Sequence, residues 1–508
     1  MEDLNQVLRV RREKLQTLRE AGIDPFAYAF DPTHTSSEAI REFETAEADG
    51  ALDENGDGAR ARVGGRIVSW RGHGKSAFAH LEDGAGRVQV YLRKDVLGEE
   101  AFAHLDLLDL GDWLGVEGPT FRTRTGEVTV RADRWTLLTK SLRPLPFGKV
   151  ETDPETGERV THSSFADQEA RYRQRYADLA VHPDVRERFR IRARTVTALR
   201  RFLDSEGFLE VETPVLQPLY GGASAKPFVT HHEALDQRMY LRIADELYLK
   251  RLIVGGLDRV YEISKDFRNE GLSRVHNPEF TMLEWYQAFT DYHDQMDLVE
   301  RMVRYVLDEV FEARTLTFQG HEISFEPPFR KLKLIDALSD ALGIDVHEAD
   351  AAVLRAHAEE LRIPDLDGAG RGKLIDKLFG ELVEPNLIQP TFVMDHPREL
   401  SPLAKAHRDD GRLTERFELY VGGSEVFNAF SELNDPIDQQ ARFEAQTALL
   451  DAGDEEAHRV DEDYIRALEY GMPPTGGVGM GVDRFVMILT DQASIRDVIL
   501  FPTLRSEE

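Results

Sequence analysis

The chain has 508 residues, with 63 Lys and Arg against 93 Asp and Glu and a formal net charge of −30; it is too long for one hydrophobic core, so two or more domains are expected. No apolar run approaches the roughly 18 residues of a membrane span, and the opening MEDLNQVLRVRREKLQTLRE lacks a signal-peptide layout, so a soluble protein is expected. The chain contains no cysteine, which excludes disulfides and Cys-based zinc sites and fits a reducing compartment.

Leu4, Val7, Leu8, Leu15 and Leu18 recur at helical spacing up to Glu20, with Gly22 beyond the last turn. They predict an amphipathic helix whose exposed face holds Arg9, Arg11, Arg12 and Lys14. From Asp31 to Asp57 the chain is acidic and rich in Gly and Asp, which reads as a loop or linker and completes an N-terminal region of residues 1–60. Residues 61–145 follow with RVGGRIVSW, SAFAHLED, GRVQVYLR, DWLGVEGPTF and GEVTVRADRW. These five alternating runs between Gly-rich turns predict a small barrel. Ala61 to Pro144 holds 13 Lys and Arg against 11 Asp and Glu, a net +2, so the remainder carries −32. A polyanion would be steered toward this segment and repelled elsewhere. GKS at Gly74 to Ser76 imitates the end of a phosphate-binding loop, but Ser69 stands where that motif requires Gly.

Residues 146–175 read as a linker containing the polar segment GKVETDPETGERVTH. In the remaining region, 176–508, Val185, Phe189, Val196, Leu199 and Leu203 mark a helix from Asp184 that Gly207 closes. Side chains alternate faces along a strand, so Val260 to Glu270 puts Glu262, Ser264, Asp266, Arg268 and Glu270 together. Gly271 to Arg274 connects to a return strand that gathers Phe280, Met282, Glu284 and Tyr286 on one face. Phe, Met and Tyr sharing a face with ionised groups point to an enclosed polar site. Lys331 to Leu382 has a helical pattern and reads as an insertion at 331–385. Strands around Gln389 to Met394, Glu415 to Leu433 and Thr475 to Gly481 imply an antiparallel α+β domain. GGVGMG fails the dinucleotide fingerprint, because the third Gly position falls on Val482 or Arg484.

The Arg-x-Glu pair, the loop and NPEFTMLE resemble motif 2 of the class II aminoacyl-tRNA synthetases. Gly476 to Leu489, GGVGMGVDRFVMIL, resembles motif 3, and Pro183 to Leu216, ending GFLEVETPVL, resembles motif 1. GGASAKPF, RIADELYLKR, SPLAKAHR, EVFNAFSELNDP and IRDVILFP are similar to the bacterial lysyl-tRNA synthetases within that class, and the likeness runs from about residue 60 to 505. It implies an α+β protein with an N-terminal OB-fold β-barrel that binds the anticodon, and a catalytic domain built on an antiparallel sheet flanked by helices. It further implies a cytoplasmic homodimer that uses ATP, L-lysine, the tRNA for lysine and more than one Mg²⁺ ion. Against the family pattern the 148–162 segment is an insertion.

The resemblance assigns residues as follows. Arg268 and Arg484 are catalytic and bind ATP, Arg268 through a planar fork suited to both the α-phosphate and the incoming carboxylate, and Arg484 at a helix start suited to the far phosphates. Phe280 stacks on adenine, with Glu270, His276 and Asn277 around it, and Glu418 and Glu425 take Mg²⁺, Glu418 also serving ATP. Gly222, Glu246, Arg268, Glu284, Tyr286, Asn428, Phe430 and Glu432 bind lysine, with Phe430 over the stem and Glu432 and Tyr286 at the ammonium. Arg71, Phe78, Gln89 and Glu127 match anticodon-reading positions. Glu425 is out of phase with Asn428, Phe430 and Glu432, so a bulge or twist is expected near Gly422, Gly423 and Ser424. Phe427 and Ala429 stand where many relatives have glycine, and their parity predicts altered packing behind the sheet. The competing readings are an aspartate- or asparagine-specific relative, a ligase that attaches lysine to a protein, and a non-catalytic RNA-binding paralogue. The acidic pocket, the barrel and the intact set of Arg and Glu residues argue against them in that order.

Overall fold

Helix α1 forms over Glu2–Glu20 in the computed structural model, which describes residues 2–152, 159–162, 165–451 and 459–506. Two of its four basic residues are not solvated as expected. Arg11 is buried and donates to the carbonyls of Leu110 and Ser141 at 2.9 Å each, while Lys14 Nζ reaches Asp109 Oδ1 at 2.8 Å. The acidic stretch after it is likewise not all loop, because Ser36–Ala48 is a second helix, α2. Thr35 accepts from the Glu38 N–H, Glu38 accepts from the Thr35 N–H, and Ala39 and Phe43 are buried. The Thr-x-x-Glu spacing is a capping box, a local signal that outweighs the acidic composition around it.

The barrel comprises β1 (Asp57–His73), β2 (Ser76–Glu82), β3 (Arg87–Arg93), β4 (Trp113–Arg122), β5 (Val128–Ala132) and β6 (Arg134–Thr139), paired β1-β2-β3-β5-β4-β6. Strand β1 also pairs with β4, closing the sheet on itself, and β3 with β5 is a parallel pair. The sixth strand arises because GEVTVRADRW breaks at Asp133. Period-2 alternation turns Val63, Ile67, Ala79, Leu81, Val88, Val90, Leu114, Val116 and Val130 inward, and Leu18 of α1 joins this core. Part of the expected insertion pairs as a hairpin, Lys149–Thr152 with Arg159–His162; its tip, 153–158, lies outside the described residues.

Residues 1–181 form one compact unit and residues 182–508 another. The second opens with α3 (Pro183–Ser205), with Pro183 at its first turn and Gly207 in the left-handed region just beyond it (φ +82°). Its main elements are then β7 (Leu209–Glu210), α4 (Glu246–Val254), β8 (Arg259–Phe267), β9 (Glu279–Ala288), α5 (Tyr292–Val310) and β10 (Arg330–Lys333). The inserted helices α6 (Leu334–Leu342), α7 (Ala351–Glu360) and α8 (Arg371–Leu382) come next. They are followed by β11 (Thr391–Pro397), β12 (Leu413–Val421), β13 (Ser424–Ser431), α9 (Glu462–Glu469), β14 (Thr475–Gly481) and α10 (Val482–Leu489). The expected helical start at Lys331 is instead strand β10, and the helices begin at Leu334.

The largest sheet of the second unit has eight strands, ordered β10-β11-β12-β13-β14-β9-β8-β7. Pairing is antiparallel throughout the middle and parallel at the two edges. One face buries Leu199, Leu203, Leu283, Met296, Val299, Met480 and Phe485 against α3, α5 and α10. Trp285 lies in this layer, fully buried, with its Nε1 donating to Gln295 Oε1 at 2.8 Å. Phe427 meets Trp285 and Phe485 edge to face at 6.3 and 6.2 Å, so it packs behind the sheet as its parity predicts. Ala429 is buried in the same layer. The opposite face is left for polar chemistry.

Candidate active site

Cross-strand register assembles the site. One row across β12, β13, β14 and β9 reads Arg416, Phe430, Gly477 and Tyr286; the next reads Glu418, Asn428, Gly479 and Glu284. The hairpin continues it, with Glu262 opposite Glu284, Ser264 opposite Met282 and Asp266 opposite Phe280. The glycines of β14 form the floor. A Cβ on Gly477 would overlap Glu432 Oε1 and the Tyr286 ring, so only Gly lets those side chains face a common space. The resulting cavity encloses about 400 Å³ and reaches from Glu432 and Tyr286 at one end to Arg268, Phe280 and Arg484 at the other.

At the first end Glu246, Glu284 and Glu432 are all buried. Glu284 Oε2 accepts from the Tyr286 hydroxyl at 3.0 Å. Burial, and the charges of Asp266 and Glu246, push the Glu284 carboxyl well above the carboxylate range. Gly222 lines the cavity with φ +91°, and a Cβ there would stand 3.1 Å from that of Ala244. Asn428 Oδ1 accepts from Arg416 Nε at 3.1 Å, and the Arg416 guanidinium lies 5.5 Å from the Phe430 ring centre.

Two side chains here escaped the sequence reading. Arg416 lines the cavity and is two residues ahead of Glu418, the same Arg-x-Glu spacing that drew attention to Arg268. Lys250 of α4, fully buried, sets its Nζ 2.5 Å from Glu246 Oε1 and against Glu432 Oε2. Its signal was the helical i,i+4 spacing Glu246-x-x-x-Lys250.

At the nucleotide-sized end the Arg268 guanidinium lies 5.1 Å from the Phe280 ring centre, and Glu270 and His276 line the cavity. His276 Nδ1 is 2.8 Å from Ser273 Oγ and its Nε2 is 3.2 Å from Arg484 Nη2. Burial and the neighbouring Arg484 and Arg268 charges hold its pKa below the usual imidazole value, which favours a neutral ring accepting from Arg484. Asn277 is buried, donating to the Glu279 carbonyl at 2.6 Å and accepting from the Thr503 N–H at 3.2 Å; it holds the loop. Arg484, in the first turn of α10, donates to Glu425 Oε2 at 3.2 Å.

The expected bulge is present but displaced. Gly422 and Gly423, both left-handed at φ +61° and +72°, make the β12–β13 turn, and the register shifts beyond it: Tyr420 faces Glu425 and Leu419 faces Phe427, leaving Val426 as the extra residue. That one residue brings Glu425 onto the same face as Asn428 and Phe430. Burial and the charge of Glu418 raise the Glu425 pKa. Glu418 itself accepts from Arg416 Nη2 at 2.5 Å and from the Tyr420 hydroxyl at 2.7 Å. Among the described residues no group of three or more His, Asp or Glu side chains is placed to hold a metal ion.

In the barrel unit, Arg71 is exposed and opposite Phe78, and the Phe78 ring is stacked on Tyr91 at 4.3 Å. Gln89 and Glu127 are joined, Nε2 to Oε2, at 2.6 Å, and Gln89 Oε1 accepts from Thr129 at 2.8 Å. His80, absent from the sequence expectation, links Glu127 Oε1 to Ser69 Oγ at 2.7 Å on either side.

A family profile described as tRNA synthetases class II (D, K and N) matches residues 167–505, and one described as OB-fold nucleic acid binding domain matches residues 61–138. A lysine–tRNA ligase of Carboxydothermus hydrogenoformans is 50% identical over 508 residues, covering 100% of this chain and 99% of that protein. Lysine–tRNA ligases of Pelotomaculum thermopropionicum and Staphylococcus aureus are each 49% identical, covering 100% of this chain and 96% and 100% of their own.

Proposed function

The chain belongs to the class II tRNA synthetases of the aspartate, lysine and asparagine group, and from that membership we propose that it is a lysine–tRNA ligase, joining lysine to ATP as lysyl-adenylate and passing it to the 3′ end of its tRNA. The observation that carries the choice among the three amino acids is the trio of buried carboxylates, Glu246, Glu284 and Glu432, at the closed end of the cavity. Aspartate would need a cation free to meet it there, and Lys250 is already held by Glu246 and Glu432. A buried acid left without its cation costs about 3–5 kcal/mol, so uncharged Leu or Met is rejected strongly. Ornithine, one methylene shorter, is rejected less well, since a CH₂ in a pocket is worth about 1–3 kcal/mol.

In the first step a carboxylate oxygen of lysine attacks the α-phosphorus, the bond to the bridging oxygen of the β-phosphate breaks, and pyrophosphate leaves. Two anions must approach, so fixed positive charge matters more than a base. Arg268, beside Phe280, spans the lysine carboxylate and the α-phosphate, while Phe280 takes the adenine face with Glu270 at its rim. Arg484, braced by His276 and Glu425, takes the far phosphates. Glu418 and Glu425 suit Mg²⁺, because the charge of one raises the pKa of the other, and a cation that keeps waters and phosphate oxygens needs few protein ligands. Bound there with ATP, Mg²⁺ neutralises phosphate charge. Glu246 and Glu284 receive the α-ammonium, Glu432 the side-chain ammonium, and Asn428 and Phe430 the stem.

Arg71, Phe78, Gln89 and Glu127 read the anticodon, a base extending the Phe78–Tyr91 stack and meeting the Gln89–Glu127 pair at its edge. Exposed Leu209, Val215, Leu216, Val229 and Leu235, just after α3, offer an apolar surface for a second copy. Charging tRNA implies a cytoplasmic enzyme; among the described residues no helix is long and apolar enough to cross a membrane. The test is pyrophosphate exchange into ATP with each of the twenty amino acids in turn. Exchange with lysine is expected, and exchange driven by aspartate, or by none, overturns the reading.

A further inference from the structure

We propose that Lys250 is a resident cation of the amino-acid site, a positioning residue that holds Glu246 and Glu432 in place and leaves the three buried acids room to be met by two incoming cations, the number lysine brings. The inference rests on the lysine reading above and goes beyond it, in naming the group that sets the site's charge count.

Lys250 Nζ is 2.5 Å from Glu246 Oε1 and touches Glu432 Oε2, with neither partner able to exchange it for water, since all three side chains are buried. Each carboxylate therefore gives one oxygen to Lys250. Neither Glu432 oxygen has a hydrogen-bond partner among the described residues; Oε2 is met by Lys250 as an ion pair, whereas Oε1 is the oxygen that the missing Cβ of Gly477 exposes to the cavity. An unpartnered carboxylate oxygen at full burial is destabilising unless a ligand meets it.

Charge around the pocket divides into two groups. The first is Glu246, Glu284 and Glu432 with Lys250, and the tyrosines Tyr286 and Tyr464 beside them, whose pKa values burial raises, so they stay neutral. The second is Asp245, Glu262 and Asp266, tied by Arg242 at 3.1, 2.7 and 3.3 Å, with Arg268 also acting on Asp266. In the first group one cation faces three acids. Lysine supplies an α-ammonium and a side-chain ammonium, its carboxylate being taken by Arg268, which closes the count. Glu246 and Glu432 raise the Lys250 pKa despite its burial, so the resident charge is present at every pH of interest. The Lys250 Nζ also lies 5.9 Å from the Tyr286 ring centre, which fixes the wall opposite the stem.

Without Lys250, nothing opposes the burial that already raises the Glu432 pKa to about 8. That pKa climbs further, Glu432 holds its proton through neutrality, and the side-chain ammonium meets a neutral partner. The full-length Lys250→Met enzyme is expected to show a lysine KM raised about 10-fold or more in pyrophosphate exchange at neutral pH. Its ATP KM should stay within about 2-fold. The lysine defect should shrink as pH rises and Glu432 ionises, over a higher pH range than in the parent enzyme, where Lys250 holds the Glu432 pKa down. Lys250→Gln keeps a donor for Glu246 without the charge. It serves if Lys250→Met does not fold, and the same lysine-specific, pH-dependent defect is expected. A lysine KM within about 3-fold of the parent in either folded variant, or lysine and ATP KM values rising together with no pH trend, overturns the proposal. If the parent enzyme itself activates no lysine, the lysine reading fails instead, so the two failures are told apart.

Discussion

Gly477 and Glu432 together show how much of this site depends on single atoms. The absent Cβ leaves room in which Glu432 Oε1 stands unpartnered, and that oxygen is the group best placed for a lysine ammonium. Glu432→Gln is expected to lower lysine-dependent exchange by roughly 10²-fold, since the ammonium then faces a neutral amide; near-normal lysine turnover would move the selectivity to Glu284 and Tyr286. Side-chain parity located Phe280, Glu284 and Tyr286 on one face, because a paired strand obeys period two between bulges; Arg268 and Glu270 reach the same cavity from the loop beyond β8, which ends at Phe267. Lys250 was out of reach of that counting. It enters the site from a helix packed over the sheet, and nothing in a strand pattern says which helical residue will point down. Nor does sequence spacing say which nearby acid a long side chain meets; the Tyr286 hydroxyl donates to Glu284.

Elements were legible where their signals were local. The closing Gly207 of α3, the Gly422–Gly423 turn and the need for a bulge in β13 could be read directly, whereas the bulge's position at Val426 depends on how β12 and β13 settle their register. Helix α2 was misread because composition was given weight over the Thr35-x-x-Glu38 capping box. Helix α1 was placed correctly but its basic face was not, since a helix docks by whatever face meets the barrel, and Arg11 finds two carbonyls there. Arg11→Ala is therefore expected to destabilise the barrel unit by about 1–3 kcal/mol, the cost of leaving buried acceptors unmet. A lowered first unfolding transition in calorimetry, with lysine-dependent exchange unchanged at moderate temperature, is the outcome that checks it; an unshifted transition would return Arg11 to the solvated face.

At the scale of the whole molecule, residues 1–181 and 182–508 are separate compact units, and the charge divides with them: the barrel segment carries +2 in a chain of net −30. Phe78→Ala removes a stacking platform worth about 1–3 kcal/mol per base. It should raise the tRNA KM in aminoacylation by roughly 10-fold while leaving pyrophosphate exchange with lysine intact, because amino-acid activation needs no barrel contact; a matching loss in exchange would refute that separation. The tryptophans are partitioned in the same way. Of the four, Trp70, Trp113 and Trp135 belong to the barrel unit, and Trp285 alone to the other. Its indole is locked by Gln295 and Phe427 on the reverse side of the strand that presents Glu284 and Tyr286 to the cavity. Replacing the three barrel indoles by phenylalanine would leave one emitter directly behind the amino-acid pocket. In that variant a change in Trp285 emission on adding lysine and ATP is the expected optical sign of pocket occupancy.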